Sequence, residues 1–250
     1  MSGPRQTSKR SACWRRGETQ QGLALVALTA VLALFGSLKI ATDAVQRSAA
    51  DDREERAITA ERLAAAERAL VRYATRKDGD LPCPADGEQG LRSSAGSTAQ
   101  PDPGPDECAL DADTAVLPWG ELGIQPGRAL DGWDRRISYL PARDTAIEVE
   151  RPGSTVSDVA FVLISHGENG LGAHTINGTH VPGVGGSSQD EQDNVDGDGG
   201  TPATFHAKPY RKGPGVAANA VFDDRVRFLT IGDLEDRSAR SLDGLASSGG

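Results

Sequence analysis

The first third of the chain has the hydrophobic spacing of a long helix. Residues 43–77 contain neither glycine nor proline and are rich in alanine, glutamate, arginine and leucine, which favour helix. Apolar side chains recur at helical spacing within this stretch, at Leu63, Ala66, Leu70 and Tyr73. Residues 23–38 upstream are apolar on every face. We therefore predict one long N-terminal helix whose second half, over 43–77, is amphipathic.

The pattern changes to that of short strands after residue 78. Four segments have strand character, either alternating or continuously apolar, at 136–140, 146–150, 159–164 and 225–231. One long helix followed by four short strands predicts an α+β fold in which a small antiparallel sheet packs on the helix. We place this loop-rich globular domain at 78–235, and we predict a flexible tail at 236–250.

The apolar run 23–42 has the features of a membrane-spanning helix. Its uncharged part numbers 16 residues, or about 19 if Lys39 extends its ammonium to the membrane surface, and a span needs roughly 17–25. The leader, 1–22, carries five basic side chains and one acidic one. Since basic residues stay in the cytoplasm, the leader predicts a cytoplasmic N-terminus and an external domain. A secretory signal peptide cleaved near Ala44 and a hydrophobic core helix are the alternatives.

Composition and charge exclude two classes of protein. Only 37% of the residues are hydrophobic and 4% aromatic, whereas glycine numbers 30 and proline 14, which does not fit a polytopic membrane protein. The formal net charge is −9, and nucleic-acid binding requires clustered lysine and arginine. We therefore expect no nucleic-acid partner and a modest core surrounded by long loops.

The longest predicted loop, 166–220, is rich in glycine, aspartate, asparagine and proline and contains a dense acidic segment. The spacing of its oxygen-bearing residues resembles the first half of an EF-hand loop, but Phe205 stands where the bidentate glutamate belongs. The candidate Ca²⁺ ligands of this segment are Asp193, Asn194, Asp196 and Asp198. Asp223 and Asp224 could supply further ligands. A solvated acidic loop without an ion is the alternative.

No arrangement of residues in the sequence predicts an enzyme. His174 and His180 are six residues apart, which is outside the H-x₃₋₅-H spacing of zinc pairs. Ser165 and His166 are adjacent, so the histidine is not placed as a base for the serine, and no G-x-S-x-G segment occurs. No glycine-rich phosphate loop follows a strand. We therefore predict a protein without catalytic activity.

Two of the three cysteines enclose a loop on the predicted outer side of the membrane. Cys83 and Cys108 flank a stretch rich in glycine, serine, proline and aspartate, whereas Cys13 lies in the leader. Neither outer cysteine belongs to a C-x-x-C pair, so a disulfide between Cys83 and Cys108 is favoured over a metal or redox site. Closing a loop of about 25 residues stabilises a domain by roughly 3–4 kcal/mol in the chain-entropy model.

Several segments, in order along the chain, resemble type IV pilins and the pseudopilins of type II secretion. Gly22 and Leu23, followed by apolar residues behind a basic leader, resemble a prepilin cleavage site. Other segments are similar to elements of pilin-like proteins, at 81–84, 117–123, 131–139 and 164–170. The resemblance implies a pilin-like fold, cleavage between Gly22 and Leu23 by a prepilin peptidase, and assembly with other pilins or pseudopilins on an inner-membrane platform. Major pseudopilins also hold calcium in a loop near their C-terminus.

One departure from the family bears on function. Ala27 occupies the fifth position after the predicted cut, where the family usually carries a glutamate that pairs with a neighbouring N-terminal amine inside the membrane. We therefore expect a minor pilin or pseudopilin, or a pilin-like protein that does not polymerise. The expected location is the bacterial inner membrane, with a single span and the C-terminal domain in the periplasm or a surface fibre. The alternative function is a membrane-tethered or secreted binding domain that holds calcium or a ligand in 166–220.

Overall fold

The structure is a computed structural model, and the part that it describes lies within residues 50–247. The described ranges are 50–87, 115–143, 145–182, 188–197, 199–213 and 215–247. From residue 52 onward they belong to one compact unit. The leader 1–22, the predicted span 23–42 and the cleavage residues Gly22 and Leu23 lie outside the described residues. Within the described ranges, no helix combines the length and the apolar character needed to cross a membrane.

Helix α1 covers residues 50–76 and buries the predicted apolar stripe. Leu63, Ala66 and Leu70 are all at most 1% exposed and join one hydrophobic core with the main sheet. Tyr73 packs against the edge of the same core. The predicted helix over 43–77 is therefore confirmed in its described part. Its apolar stripe, at helical spacing, packs against the main sheet.

The strands form two sheets in the described part of the chain. Their bounds are β1 Ala85–Asp86, β2 Ala115–Val116, β3 Ser138–Pro141, β4 Ile147–Arg151, β5 Ser154–Val156, β6 Val159–Ser165, β7 Ala203–His206 and β8 Arg225–Thr230. The main sheet has the order β1-β2-β3-β6-β8, and all its neighbours are antiparallel. The second has the order β5-β4-β7, with β4 and β7 parallel. The α+β prediction with a small antiparallel sheet is confirmed.

Strand β6 is buried along its whole length because a core forms on each of its faces. Phe161 and Leu163 belong to the core that contains α1, whereas Val162 and Ile164 belong to the core of the second sheet. Successive side chains of a strand point to opposite faces. This two-sided burial explains the continuous apolar run at 159–164, and the four predicted strands correspond to β3, β4, β6 and β8.

The segment 166–220, predicted as one long loop, contains regular structure, so that prediction is wrong in part. It includes β7, a 3₁₀ helix at Ala218–Ala220, and helix α2 at Gln189–Asp196. The side chain of Ser188 accepts a hydrogen bond from the backbone N–H of Glu191 and caps the start of α2. Gly197 ends α2 with a φ of 74°, a left-handed conformation that suits glycine. Because serine and glycine are also common in loops, the sequence did not distinguish these helix caps from loop residues.

The predicted flexible tail 236–250 differs from the structure, where helix α3 covers Ile231–Ser247. Leu234 is buried in the main core, and Arg237 Nη1 lies 2.5 Å from Glu67 Oε1 on α1. An ion pair with a residue 170 positions away leaves no local signal in a polar segment. The packing partner of α3 therefore could not be identified from its own sequence.

Cys83 is disulfide-bonded, as predicted for one half of the pair. Cys108, its predicted partner, lies outside the described residues. Pro82, next to Cys83, accepts a hydrogen bond through its carbonyl from the buried hydroxyl of Tyr139 on β3, at 3.0 Å. The cysteine is therefore held close to the main sheet.

Candidate functional site

Three carboxylates from distant parts of the sequence meet in the interior of the domain. Glu191 lies in the first turn of α2, and Asp223 and Asp224 directly precede β8. One oxygen from each lies within 4.8 Å of the others. Their exposed fractions are 0%, 4% and 6%. We call these three residues the carboxylate cluster.

Both oxygens of Glu191 are engaged by donors that fix its orientation. The backbone N–H of Asp223 donates to Glu191 Oε1 at 2.6 Å, and Asn169 Nδ2 donates to Oε2 at 3.2 Å. The N-cap Ser188 places Glu191 on the inner face of α2. The two halves of the carboxylate cluster are therefore joined by a direct hydrogen bond across 32 residues of sequence.

Asp223 has one satisfied and one unsatisfied carboxylate oxygen. Its Oδ2 accepts from the backbone N–H of Asn169 at 3.1 Å and lies 3.4 Å from Lys212 Nζ. Its Oδ1 is buried and has no hydrogen-bond partner among the described residues. Gly167 stands beside it with a φ of +59°, and a Cβ at that position would come within 2.6 Å of Oδ1. Glycine is required there both by its conformation and by this close approach.

Asp224 is held by Asn194, one of the predicted calcium ligands. Asn194 Nδ2 donates to Asp224 Oδ2 at 2.9 Å and to the carbonyl of His206 at 3.1 Å. Asn194 Oδ1 accepts from the backbone N–H of His206 at 2.7 Å. Within the part of the chain that the structure describes, Asp224 Oδ1 is buried without a hydrogen-bond partner. Asn194 therefore joins α2, β7 and the carboxylate cluster.

Burial makes the negative charges of the cluster costly. It raises the pKa of Glu191 from 4.5 to about 7, and the nearby charge of Asp223 acts in the same direction. It also raises the pKa of Asp224 well above its ordinary value, against the hydrogen bond from Asn194. Neighbouring buried carboxylates ionise together only when a cation neutralises them. An oxygen-only donor set with two unsatisfied oxygens suits a hard divalent cation such as Ca²⁺.

The structure describes three of the four predicted calcium ligands and does not gather those three into one site. Asp193 Oδ1 accepts from Gln189 Nε2 at 2.7 Å, and Asn194 is engaged as described above. Asp196 is exposed near the end of α2, and Asp198 lies outside the described residues. The helix turns these side chains in different directions, whereas a calcium loop would make them converge. Asp223 and Asp224 do lie in the carboxylate cluster, but Glu191 was missed. The sequence signal that could have identified Glu191 is its position three residues after Ser188, the spacing of a helix capping box.

A cavity of about 260 Å³ opens beside the carboxylate cluster. Asp223 and Asp224 line it on one side. Its other walls carry basic and aromatic side chains, those of Arg56, Trp133, Lys208, Tyr210 and Arg225. The cavity therefore brings groups of both charges around one space.

A separate group of histidines lies near the end of β6, of which His166 and His174 are buried and His180 is half-buried. The rings of His174 and His180 stack with their centroids 4.8 Å apart, and His166 Nε2 lies 2.9 Å from Ser138 Oγ. Burial lowers the pKa of His166 to about 3, and the two neighbouring histidines act in the same direction. His166 is therefore neutral at physiological pH.

No protein-family model matches the sequence, and comparisons with curated proteins and with solved structures found no significant match.

Proposed function

We propose that the protein is a membrane-anchored, pilin-like structural subunit, a minor pilin or pseudopilin of a type IV pilus or type II secretion-like assembly. The packing of α1 carries this proposal. Its stripe of Leu63, Ala66 and Leu70 is buried against the antiparallel sheet, and the sequence upstream, 43–49, contains no helix breaker before the apolar run 23–42. A single helix that serves both as anchor and as core element is the construction the resemblance implies.

Polar contacts support a rigid link between α1 and the rest of its domain. Glu67, 4% exposed at its side chain, pairs with Arg227 of β8 and Arg237 of α3. Arg62 Nη1 donates to the carbonyl of Asp131 at 2.6 Å, and Thr59 Oγ1 accepts from the backbone N–H of Gly132 at 2.8 Å. A subunit that assembles through its N-terminal helix needs such a link, since forces on the anchor then reach the domain.

In this proposal the protein is made with a cytoplasmic N-terminus and cut by a prepilin peptidase between Gly22 and Leu23. Other pilins or pseudopilins and an inner-membrane platform are its partners, and the domain from residue 43 onward lies in the periplasm or a surface fibre. Ala27 supplies no carboxylate for the neighbouring N-terminal amine. A minor, tip or initiating position therefore fits better than a bulk subunit.

Mapping the N-terminus of the mature protein from native membranes tests the proposal. Mass spectrometry should find a start at Leu23, and Gly22→Leu should leave the full-length chain. Gly17→Leu, which changes a glycine elsewhere in the leader, is the matched control and should be cut normally. A start near Val45 would instead support a secreted domain. Normal processing of Gly22→Leu, or an uncut parent chain, would contradict the prepilin assignment.

The carboxylate cluster favours a second function, a tethered domain that binds a divalent cation. We propose Ca²⁺, with Glu191, Asp223 and Asp224 as protein ligands. The unsatisfied oxygens Asp223 Oδ1 and Asp224 Oδ1 support it, because a buried carboxylate oxygen without a donor costs free energy that a cation recovers. Calcium accepts irregular sets of oxygen ligands more readily than magnesium does.

Thermal unfolding of the full chain in detergent tests the cation. Millimolar Ca²⁺ should raise the melting temperature by several degrees over chelator, since a ligand at a hundred times its Kd adds about 2.7 kcal/mol. Asp224→Asn should abolish the difference. Asp196→Asn, on the exposed part of α2, is the matched control and should keep it. If only Asp196→Asn loses the difference in melting temperature, the ion binds in the segment 193–198 instead. If the parent melts at the same temperature in Ca²⁺ and in chelator, the cation proposal is wrong.

A further inference from the structure

The cavity beside the carboxylate cluster carries an inference that is independent of the proposed subunit role. Its volume of about 260 Å³ lies just below the roughly 300–1,000 Å³ of common ligand pockets. This volume, although slightly smaller than that of a common pocket, still accommodates a small molecule. We propose that it binds a small organic oxyanion, a carboxylate or a phosphate with an apolar body.

The charges on the cavity wall support an anionic ligand. Among the three basic side chains on the wall, Arg56 Nη2 lies 3.2 Å from Asp52 Oδ2, and Lys208 Nζ lies 2.6 Å from Asp190 Oδ1. Arg225 has no such carboxylate partner in the described ranges. Arg225, an exposed residue, lines the same cavity as Arg56. Two guanidiniums held near one space attract an anion, and their fork of N–H donors matches the oxygens of carboxylates and phosphates.

An unsatisfied donor on a second element supports the same ligand. Trp133, in the turn before β3, lines the cavity, and its Nε1 is buried without a hydrogen-bond acceptor in the described structure. An indole N–H can only donate. A buried donor without an acceptor costs about 1–3 kcal/mol, which an oxygen of the ligand would recover. Arg225 and Trp133 thus bring donors to the cavity from two distant segments of the chain.

The acidic residues on the wall do not oppose an anion as free charges would. Asp223 is held by Lys212 and the backbone N–H of Asn169, and Asp224 by Asn194. Lys212 therefore offsets the charge of Asp223, and Asn194 binds one oxygen of Asp224. The rings of Trp133 and Tyr210 add apolar surface to the same cavity wall. That surface favours an oxyanion with an apolar body over a bare inorganic ion.

Isothermal titration of the full chain in detergent tests the inference with three probes: benzoate, phenyl phosphate and inorganic phosphate. We expect benzoate or phenyl phosphate to bind, and the stronger of them identifies the oxyanion. Inorganic phosphate should bind more weakly, because it cannot contact the rings. Arg225→Gln should weaken the stronger probe at least tenfold, and Trp133→Phe, which keeps a ring and removes the N–H, several-fold. Arg151→Gln, at an exposed arginine outside the cavity, is the matched control.

The outcomes separate this inference from the proposed cation. Circular dichroism establishes that each variant is folded before titration. Asp224→Asn should lose the calcium effect on melting while it keeps the probe, because Arg225 and Trp133 remain. The inference is overturned if no probe binds the folded parent, if inorganic phosphate binds as tightly as the aromatic probes, or if Arg225→Gln binds as tightly as the parent.

Discussion

The apolar stripe of α1 and the inner face of α2 bury different kinds of side chain in the same domain. α1 buries Leu63, Ala66 and Leu70, at most 1% exposed, whereas α2 buries Glu191 and Asn194, both 0% exposed. Apolar burial has no preferred direction, whereas hydrogen bonds require donor and acceptor to meet near 3 Å at a fixed angle. Two equally buried side chains can therefore affect the free energy of unfolding in different ways. Beneath α1 we expect it to depend on side-chain volume, and beneath α2 on hydrogen-bond partners and protonation.

Removing volume beneath α1 should have the largest effect. Leu70→Ala deletes a fully buried side chain from the main core, and such changes cost about 2–5 kcal/mol in the free energy of unfolding. Urea titration followed by circular dichroism measures the loss. Arg72→Ala, on the exposed face of the same helix, should stay within about 0.5 kcal/mol of the parent. Similar losses in both variants would show that the apolar face of α1 does not stabilise the domain.

Removing partners beneath α2 should cost less. Asn194→Ala leaves Asp224 Oδ2 without its amide donor and removes both hydrogen bonds to the His206 backbone. A buried polar group left unsatisfied costs about 1–3 kcal/mol. Gln192→Ala, at a half-buried position of α2, is the control for lost side-chain volume. If the same urea titration finds the two variants equal, the hydrogen bonds of Asn194 contribute nothing.

The pH dependence of stability tests the carboxylates directly. The pKa of Glu191 is raised from 4.5 to about 7 by burial and by the charge of Asp223. Between these values the folded state keeps a proton that the unfolded state releases, so the free energy of unfolding falls as pH rises. In chelator, Glu191→Gln should remove this decline, which is at most about 1.4 kcal/mol per pH unit for one proton. Parallel parent and variant curves from pH 5 to 7 would contradict the assignment.

His166 contributes to the pH dependence of stability with the opposite sign to Glu191. Burial lowers its pKa from 6.5 to about 3. Between these values the unfolded state binds a proton that the folded state excludes, so the free energy of unfolding rises with pH. Glu191 opposes this rise above pH 4.5. His166→Gln should therefore lower the slope of the free energy of unfolding against pH throughout the range from about 3 to 6.5, and an unchanged slope there would contradict the buried neutral form.

Apolar periodicity explains how much of the fold could be predicted. The stripe of α1 and the alternation in β3, β4 and β8 repeat at the spacing of the element, so a short window contains the whole signal. The continuous apolar run of β6 indicated a strand covered on both faces, and cores lie on both. Elements that are buried through apolar area can therefore be recognised from a short stretch of sequence.

The carboxylate cluster could not be predicted in the same way. Asp223 meets Glu191 only because α2 and the segment before β8 come together across 32 residues of sequence. A charged residue that becomes buried looks, in sequence, like one on a solvated surface. The acidic density at 190–198 drew attention to the right part of the chain, but the helix caps decided which side chains turn inward. Asp223 and Asp224, which the sequence offered only as further ligands, belong to the carboxylate cluster, whereas the main candidates at 193–198 do not.

The position of β8 at the edge of the main sheet determines when the site can form during folding. Strand β6 pairs with β3 nearby in sequence but with β8 only after a segment of about 60 residues has closed, as the pairing of Ser165 with Arg225 shows. Closing so long a segment is entropically unfavourable until the pairing rewards it, and such contacts form slowly. Docking of β8 also delivers Asp223 and Asp224 to Glu191. The last strand of the sheet and the carboxylate cluster therefore depend on the same long-range pairing.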